Sequence, residues 1–137
     1  MSLPLVVMPD VPKVALDYLR TIPEVTTLTP RISTQSPATP VYPYVTVQRV
    51  GGNEVVEFRL DRANLQLDAW GTNEAEASLV IRTVIAALKA ARGYQHPTAV
   101  IAAAELVLSP QWIPDTTRTP PTPRFVASVA LTVHPIP

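Results

Sequence analysis

Catalysis needs a nucleophile, a base, a metal site or a phosphate cradle, and this chain is short of residues arranged for any of them. Its two histidines, His96 and His134, each stand directly before a proline, outside any HExxH spacing and with no acidic partner close in sequence. They read as surface or packing residues rather than ligands or general bases. Serines 33, 36, 78, 109 and 128 lie outside any GxSxG elbow. The four glycines, at 51, 52, 71 and 93, cannot write a GxGxxG or a Walker loop. With no cysteine there is no thiol nucleophile, disulfide, Cys-ligated zinc or iron–sulfur cluster, which fits a reducing compartment. Glu54, Glu57 and Asp61 alternate with Arg59 and Arg62 as on a solvated strand edge. The expectation is a protein that is not an enzyme and holds no cofactor and no metal.

Nucleic-acid binding is also disfavoured. Eleven basic residues balance eleven acidic ones, so no net field draws in a polyanion or an anionic membrane. Arg49, Arg59 and Arg62 would make a basic cluster if neighbouring strands brought them together, but each has Glu54, Glu57 or Asp61 close enough to neutralise it. The 137 residues suit one domain spanning 1–137. The apolar opening at residues 3 to 9 is too short for a signal peptide or a membrane span, so a soluble cytosolic protein is expected. A charged fraction of 16% beside 47% apolar residues hints that partners cover part of the surface.

The elements follow from periodicity. Asp10 precedes an amphipathic stripe, Val11, Val14, Ala15, Tyr18, Leu19 and Ile22, predicting a helix over 11–21 that Pro23 closes. Residues 23–43, with five prolines, read as an extended connector with a short edge strand near 31–34. "YVTVQRV" at 44–50 is a strand ended by a turn at Gly51 to Asn53. Beyond it Val56, Phe58 and Leu60 occupy even positions, but Leu65, Leu67 and Ala69 odd ones. That places a turn or bulge between 61 and 64 and the surer strand at 64–70.

Asn73 and Glu76 open a helix that Gly93 ends, predicted over 73–92, with Ala77, Val80, Ile81, Val84, Leu88 and Ala91 on its core stripe. Ile85 falls within the polar arc of Ser78, Arg82, Lys89 and Arg92, at about 100° per residue away from the core. Either the stems of Arg82 and Lys89 shelter it or it touches another subunit. Residues 98–108, apolar on both parities, read as a strand buried on two sides, and 125–133 alternate as a final strand. Between them residues 109–124 form a long loop with five prolines and an apolar Trp112–Ile113 pair. The fold class is α+β: a mainly antiparallel sheet of four to five strands with two helices packed on one face.

The order "MPDVPKVALDYLR", "YPYVTVQRVGG", "DRANLQLDAWG" running into an acidic-capped helix, "SPQWIPD" and "PRFVASVALTV" resembles the tail terminator proteins of long-tailed bacteriophages, especially those infecting actinobacteria, over residues 9 to 134. The resemblance implies a ring, usually a hexamer, at the head-proximal end of the tail tube that stops tube growth and offers the head-joining surface. The partners it implies are further copies of the chain, the tail tube protein and the head–tail connector protein, with DNA only passing through the lumen and no membrane. It places the protein in the virion tail, assembled in the host cytoplasm. The candidate contact residues are Trp112 and Ile113 in the loop, Ile85 and Arg82 on the helix, and Arg49 and Arg59 on the strands. A tryptophan supplies large contact area at small entropic cost, while folding back over the core is the competing use of Trp112. The rival functions are a head completion or head–tail connector protein and, in another class, a small-ligand-binding regulatory domain.

Overall fold

The computed structural model describes residues 5–136; residues 3 and 4 of the apolar opening and the extreme ends of the 1–137 range lie outside the described residues. Helix α1 (Val11–Leu19) begins where Asp10 accepts the Lys13 amide at 3.4 Å, with proline in the first turn. It ends two residues before the predicted 21. Pro23 starts a second short helix, α2 (Pro23–Leu28), with Val25 buried. The connector 23–43 is therefore not extended throughout, because proline at a helix's first position costs no internal hydrogen bond. Among the described residues three helices replace the two expected.

Five strands form one sheet in the order β1-β2-β3-β5-β4: β1 (Ile32–Ser33), β2 (Tyr44–Val56), β3 (Leu60–Trp70), β4 (Ala99–Trp112) and β5 (Arg124–Pro135). All pairings are antiparallel except β1 with β2, so the sheet is mixed but mainly antiparallel. Strand β2 does not end at Gly51 to Asn53. It runs on to Val56, taking up register shifts at Val50 and Val55. Nor does β3 switch faces between 61 and 64. Asp61, Ala63, Leu65, Leu67 and Ala69 are all buried on one face, and parity changes instead at the three-residue turn 57–59, where Phe58 has φ 62. Asp61 misleads because a carboxylate suggests solvent, whereas here it is buried against Arg49.

Gly71 explains the abrupt passage from strand to helix. A Cβ there would lie 2.7 Å from the Ala77 amide nitrogen, so only glycine lets β3 turn directly into α3 (Glu74–Lys89). Asn73 accepts the Glu76 amide at 2.8 Å, and Glu76 reaches back to the Thr72 amide at 2.8 Å, a capping box shifted by one residue. The predicted core stripe of this helix is buried, and so is Ile85, at 6% exposure and within the core cluster. The expectation that Ile85 avoids the core is wrong: α3 packs on three strands, β3, β5 and β4, a surface broad enough to bury more than the central stripe of the helix.

Strand β4 is an edge, not a strand buried on two sides. Ala99 and Ile101 are buried, but Val107, Leu108 and Trp112 are exposed. Apolar residues fall on both parities because register shifts between Ile101 and Ala103, Leu106 and Leu108, and Leu108 and Gln111 reset the alternation. The core lies on one face, with α1 against β2 and α3 against β3, β5 and β4.

His96 is a packing histidine, 6% exposed, and its acidic partner comes from far away in sequence. Nδ1 lies 3.1 Å from the Thr98 amide nitrogen and 2.9 Å from the Thr98 hydroxyl, and Nε2 lies 2.7 Å from the Asp17 carboxylate. The contact ties α1 to the turn before β4. The His96 hydrogen bond, and after it the hydrogen bond from Lys13, hold the Asp17 carboxyl below the ordinary aspartate range. A carboxylate depressed in the folded state stabilises above its unfolded pKa, about 4, and that contribution is lost as pH falls through the folded value. Asp17→Asn is expected to lower the melting temperature at pH 7 and to approach the parent as pH falls through the folded carboxyl's lowered range; a gap that persists in acid would show that the ionised carboxylate is not the stabilising form.

Candidate functional site

The predicted contact residues do not converge on one site. Arg49 on β2 holds Asp61 through two guanidinium nitrogens, with Nη2 to Oδ1 at 2.8 Å. The Asp61 side chain is only 4% exposed, so Arg49 is committed to the hairpin rather than free for a partner. Arg59 sits in the exposed 57–59 turn, with no ion-pair partner among the described residues. Arg62 crosses β5 to reach Glu105 at 2.9 Å. The expected neutralisation by Glu54, Glu57 or Asp61 is therefore met for Arg49 alone: Arg62 is paired by a residue 43 positions away, and Arg59 by none of the described residues. Arg82 lies exposed on α3, its Nε donating to Ser78 Oγ at 3.1 Å.

Trp112 ends β4 at the far side of the sheet, 44% exposed and tilted against Phe125 at 5.2 Å between ring centres. It neither folds fully onto the core nor hangs free. Ile113 beside it is 42% exposed, and its carbonyl accepts Arg124 Nε at 2.9 Å. The loop that follows folds under the sheet. Asp115 accepts the Trp70 indole proton at 2.9 Å and pairs through its backbone with Thr122. Trp70 stacks on Tyr44 at 4.3 Å and Tyr44 on Tyr42 at 5.6 Å. Five prolines and this aromatic ladder make the loop a fitted cover. Hydrogen bonds, first from Thr117, hold the Asp115 carboxyl low, whereas burial pushes that of Asp68 up.

Sequence reasoning picked out Trp112 and Ile113 but missed the other exposed apolar residues at two corners of the sheet. At one, Val50, Val55, Val56 and Phe58 of the β2–β3 hairpin are 41–56% exposed. At the diagonally opposite one, Val107, Leu108, Trp112 and Ile113 are 39–53% exposed. Val50, Val55 and Val107 all occupy register shifts, where a bulge turns a side chain away from the alternation. The parity conflicts in the sequence signalled these bulges.

A groove of about 510 Å³ runs between α1, α2 and α3, lined by Ile22, Leu79, Ala86 and Ala90, with Glu24 and Arg82 also on it. Among the described residues no cluster of three or more His, Asp or Glu side chains is placed to hold a metal, and no helix is long and apolar enough to cross a membrane. The surface offers flat, apolar and charged areas of the kind that meet other proteins.

Comparison with known proteins places this geometry. The structure of bacteriophage SPP1 gp17 protein is similar over 88% of this chain and 86% of that one, with a TM-score of 0.55 and 21% sequence identity, which establishes a shared fold. No curated protein matches. The model of the family described as Tail completion protein gp17 matches residues 16–120, most of the 137-residue chain. The chain therefore belongs to the tail completion protein gp17 family and is a structural protein of the bacteriophage tail.

Proposed function

We propose that the protein acts as a tail terminator: copies close into a ring, a hexamer by analogy with tail terminators, on the head-proximal end of the tail tube. The ring occupies the growth surface of the last tube layer, presents no equivalent surface for another, and gives the head–tail connector its seat. DNA only passes through the lumen. The work is steric, carried by one domain spanning 1–137 and assembled in the host cytoplasm, with no catalytic step. The observation that carries this reading is a single sheet with bare, apolar corners at diagonally opposite ends. A contact between two unlike patches is heterologous, and it repeats from copy to copy until its rotation closes a ring.

Electron microscopy of phage lacking the protein tests the reading. Tails of uncontrolled length are expected, with closed rings formed by the purified protein alone or on tail tubes. Tails of normal length that fail only to join heads would instead assign it as a head completion or connector protein. The regulatory-domain alternative rests on the α1–α2–α3 groove, whose apolar lining offers few converging polar groups to orient a small ligand.

A further inference from the structure

The ring reading leaves open which surfaces meet, and the distribution of unpaired charge supplies an answer that rests on it. Strand β1 pairs only with Val45 and Thr46, so from Val47 to Val56 the outer side of β2 has no strand neighbour. This corner carries Glu54 and Glu57, exposed and without an ion-pair partner among the described residues, against the single Arg59. Arg49 and Asp61 cancel each other. The hairpin corner is therefore net negative.

The opposite side of the molecule is positive. Helix α1 packs over β2, and the groove beside α1 and α2 takes Leu79, Arg82, Thr83, Ala86, Ala87 and Ala90 of α3. At about 100° per residue, Ser78, Ile85, Lys89 and Arg92 fall on the other flank, on the side of β4, and Arg82 stands between that flank and the groove. Arg82, Lys89 and Arg92 are exposed and have no acidic partner among the described residues. The acidic residue sharing this flank, Glu74, lies roughly 22 Å from Lys89 along the axis, at 1.5 Å per residue. In a chain of zero net charge, the β2–β3 corner carries an excess of one unpaired acid, while Lys89 and Arg92 lie unpaired on the flank of α3 beside β4.

We propose that the bare β2–β3 corner of one copy docks on the α3–β4 flank of a second copy, joining subunits head to tail. Glu54 and Glu57 face Lys89 and Arg92, fixing orientation and speeding encounter. Val55 and Phe58 provide apolar area at the centre. The bulges in β2 and β4 keep these edges from adding strands without limit, so side chains rather than a continuous ladder make the contact.

The absence of cysteine from the chain makes the test clean. A Val55→Cys protein mixed with a Lys89→Cys protein should give a cross-linked pair with a short bismaleimide, and neither alone should. The double charge reversals Glu54→Lys/Glu57→Lys and Lys89→Glu/Arg92→Glu should each reduce ring mass to single-chain mass, and all four in one chain should restore it. Wild-type rings with reversals that assemble equally well and no cross-link would overturn the docking while leaving the ring reading intact. No wild-type ring, in solution or on tubes, would overturn both.

Discussion

Leu65→Ala is expected to lower the unfolding free energy by about 3–5 kcal/mol and the melting temperature by roughly 10 °C or more. Leu65 has no exposed surface. It stands at the middle of β3 opposite Val129 of β5, with Arg49 of β2 on its other side, under the helical layer. Truncation removes buried methyl and methylene groups and leaves a space that paired strands on both sides cannot close, so transfer and cavity costs add. Val107→Ala, at a bulge and 53% exposed, should change stability by no more than about 0.5 kcal/mol. Thermal unfolding of the two variants checks both statements. A loss below about 1 kcal/mol for Leu65→Ala would mean that the central strands are not packed as described.

This asymmetry divides the molecule by function. The centre of the sheet is a rigid frame: Leu65, Leu67, Val129 and Leu131 are fully buried between β2 and β4. The bare corners contribute little to folding because their side chains lie open to water. Substitutions there are expected to alter assembly while leaving the fold in place, which is how a subunit whose role is contact separates the two properties.

Much of the frame was legible from spacing alone. The Asn73 cap, the stripe of α3, the alternation of β5 and the Asp10 start of α1 are local signals, and each is met by local hydrogen bonds or burial. The departures came from long-range partners. Asp61 is buried because Arg49, twelve residues away, reaches it, and Ile85 is buried because α3 lies across three strands rather than one. His96 finds Asp17 across 79 residues. Of the contact candidates, Trp112, Ile113, Arg82 and Arg59 are exposed, whereas Arg49 is engaged within the hairpin and Ile85 within the core. Val50 and Val55 stayed hidden because a bulge appears in one sequence only as a broken alternation, with nothing to say which strand absorbs it.

The hairpin corner also makes neighbouring glycines unequal, and Gly52→Ala is expected to abolish assembly while the core remains folded. Gly52 has φ +90, and a Cβ on it would fall 2.0 Å from the Arg62 carbonyl oxygen and 2.9 Å from the Ala63 Cα. Both are backbone atoms of the paired strand, so no side chain can move aside. The strands must part at this position, which shifts Asn53 to Val56 out of register and carries Val55 and Glu54 from where they stand. The left-handed conformation alone costs about 1–3 kcal/mol for a residue with a Cβ. The damage stays local, because Leu65 to Trp70 pair with β5 and with the lower part of β2 independently of it. Gly51→Ala is the control. Its nearest neighbour would be the Asn64 side-chain nitrogen at 3.6 Å, an ordinary contact, and its φ lies outside the left-handed region. Circular dichroism should find both variants folded, and light scattering on tubes or in solution should find rings only for Gly51→Ala. Full assembly by Gly52→Ala would separate the hairpin from the contact between copies.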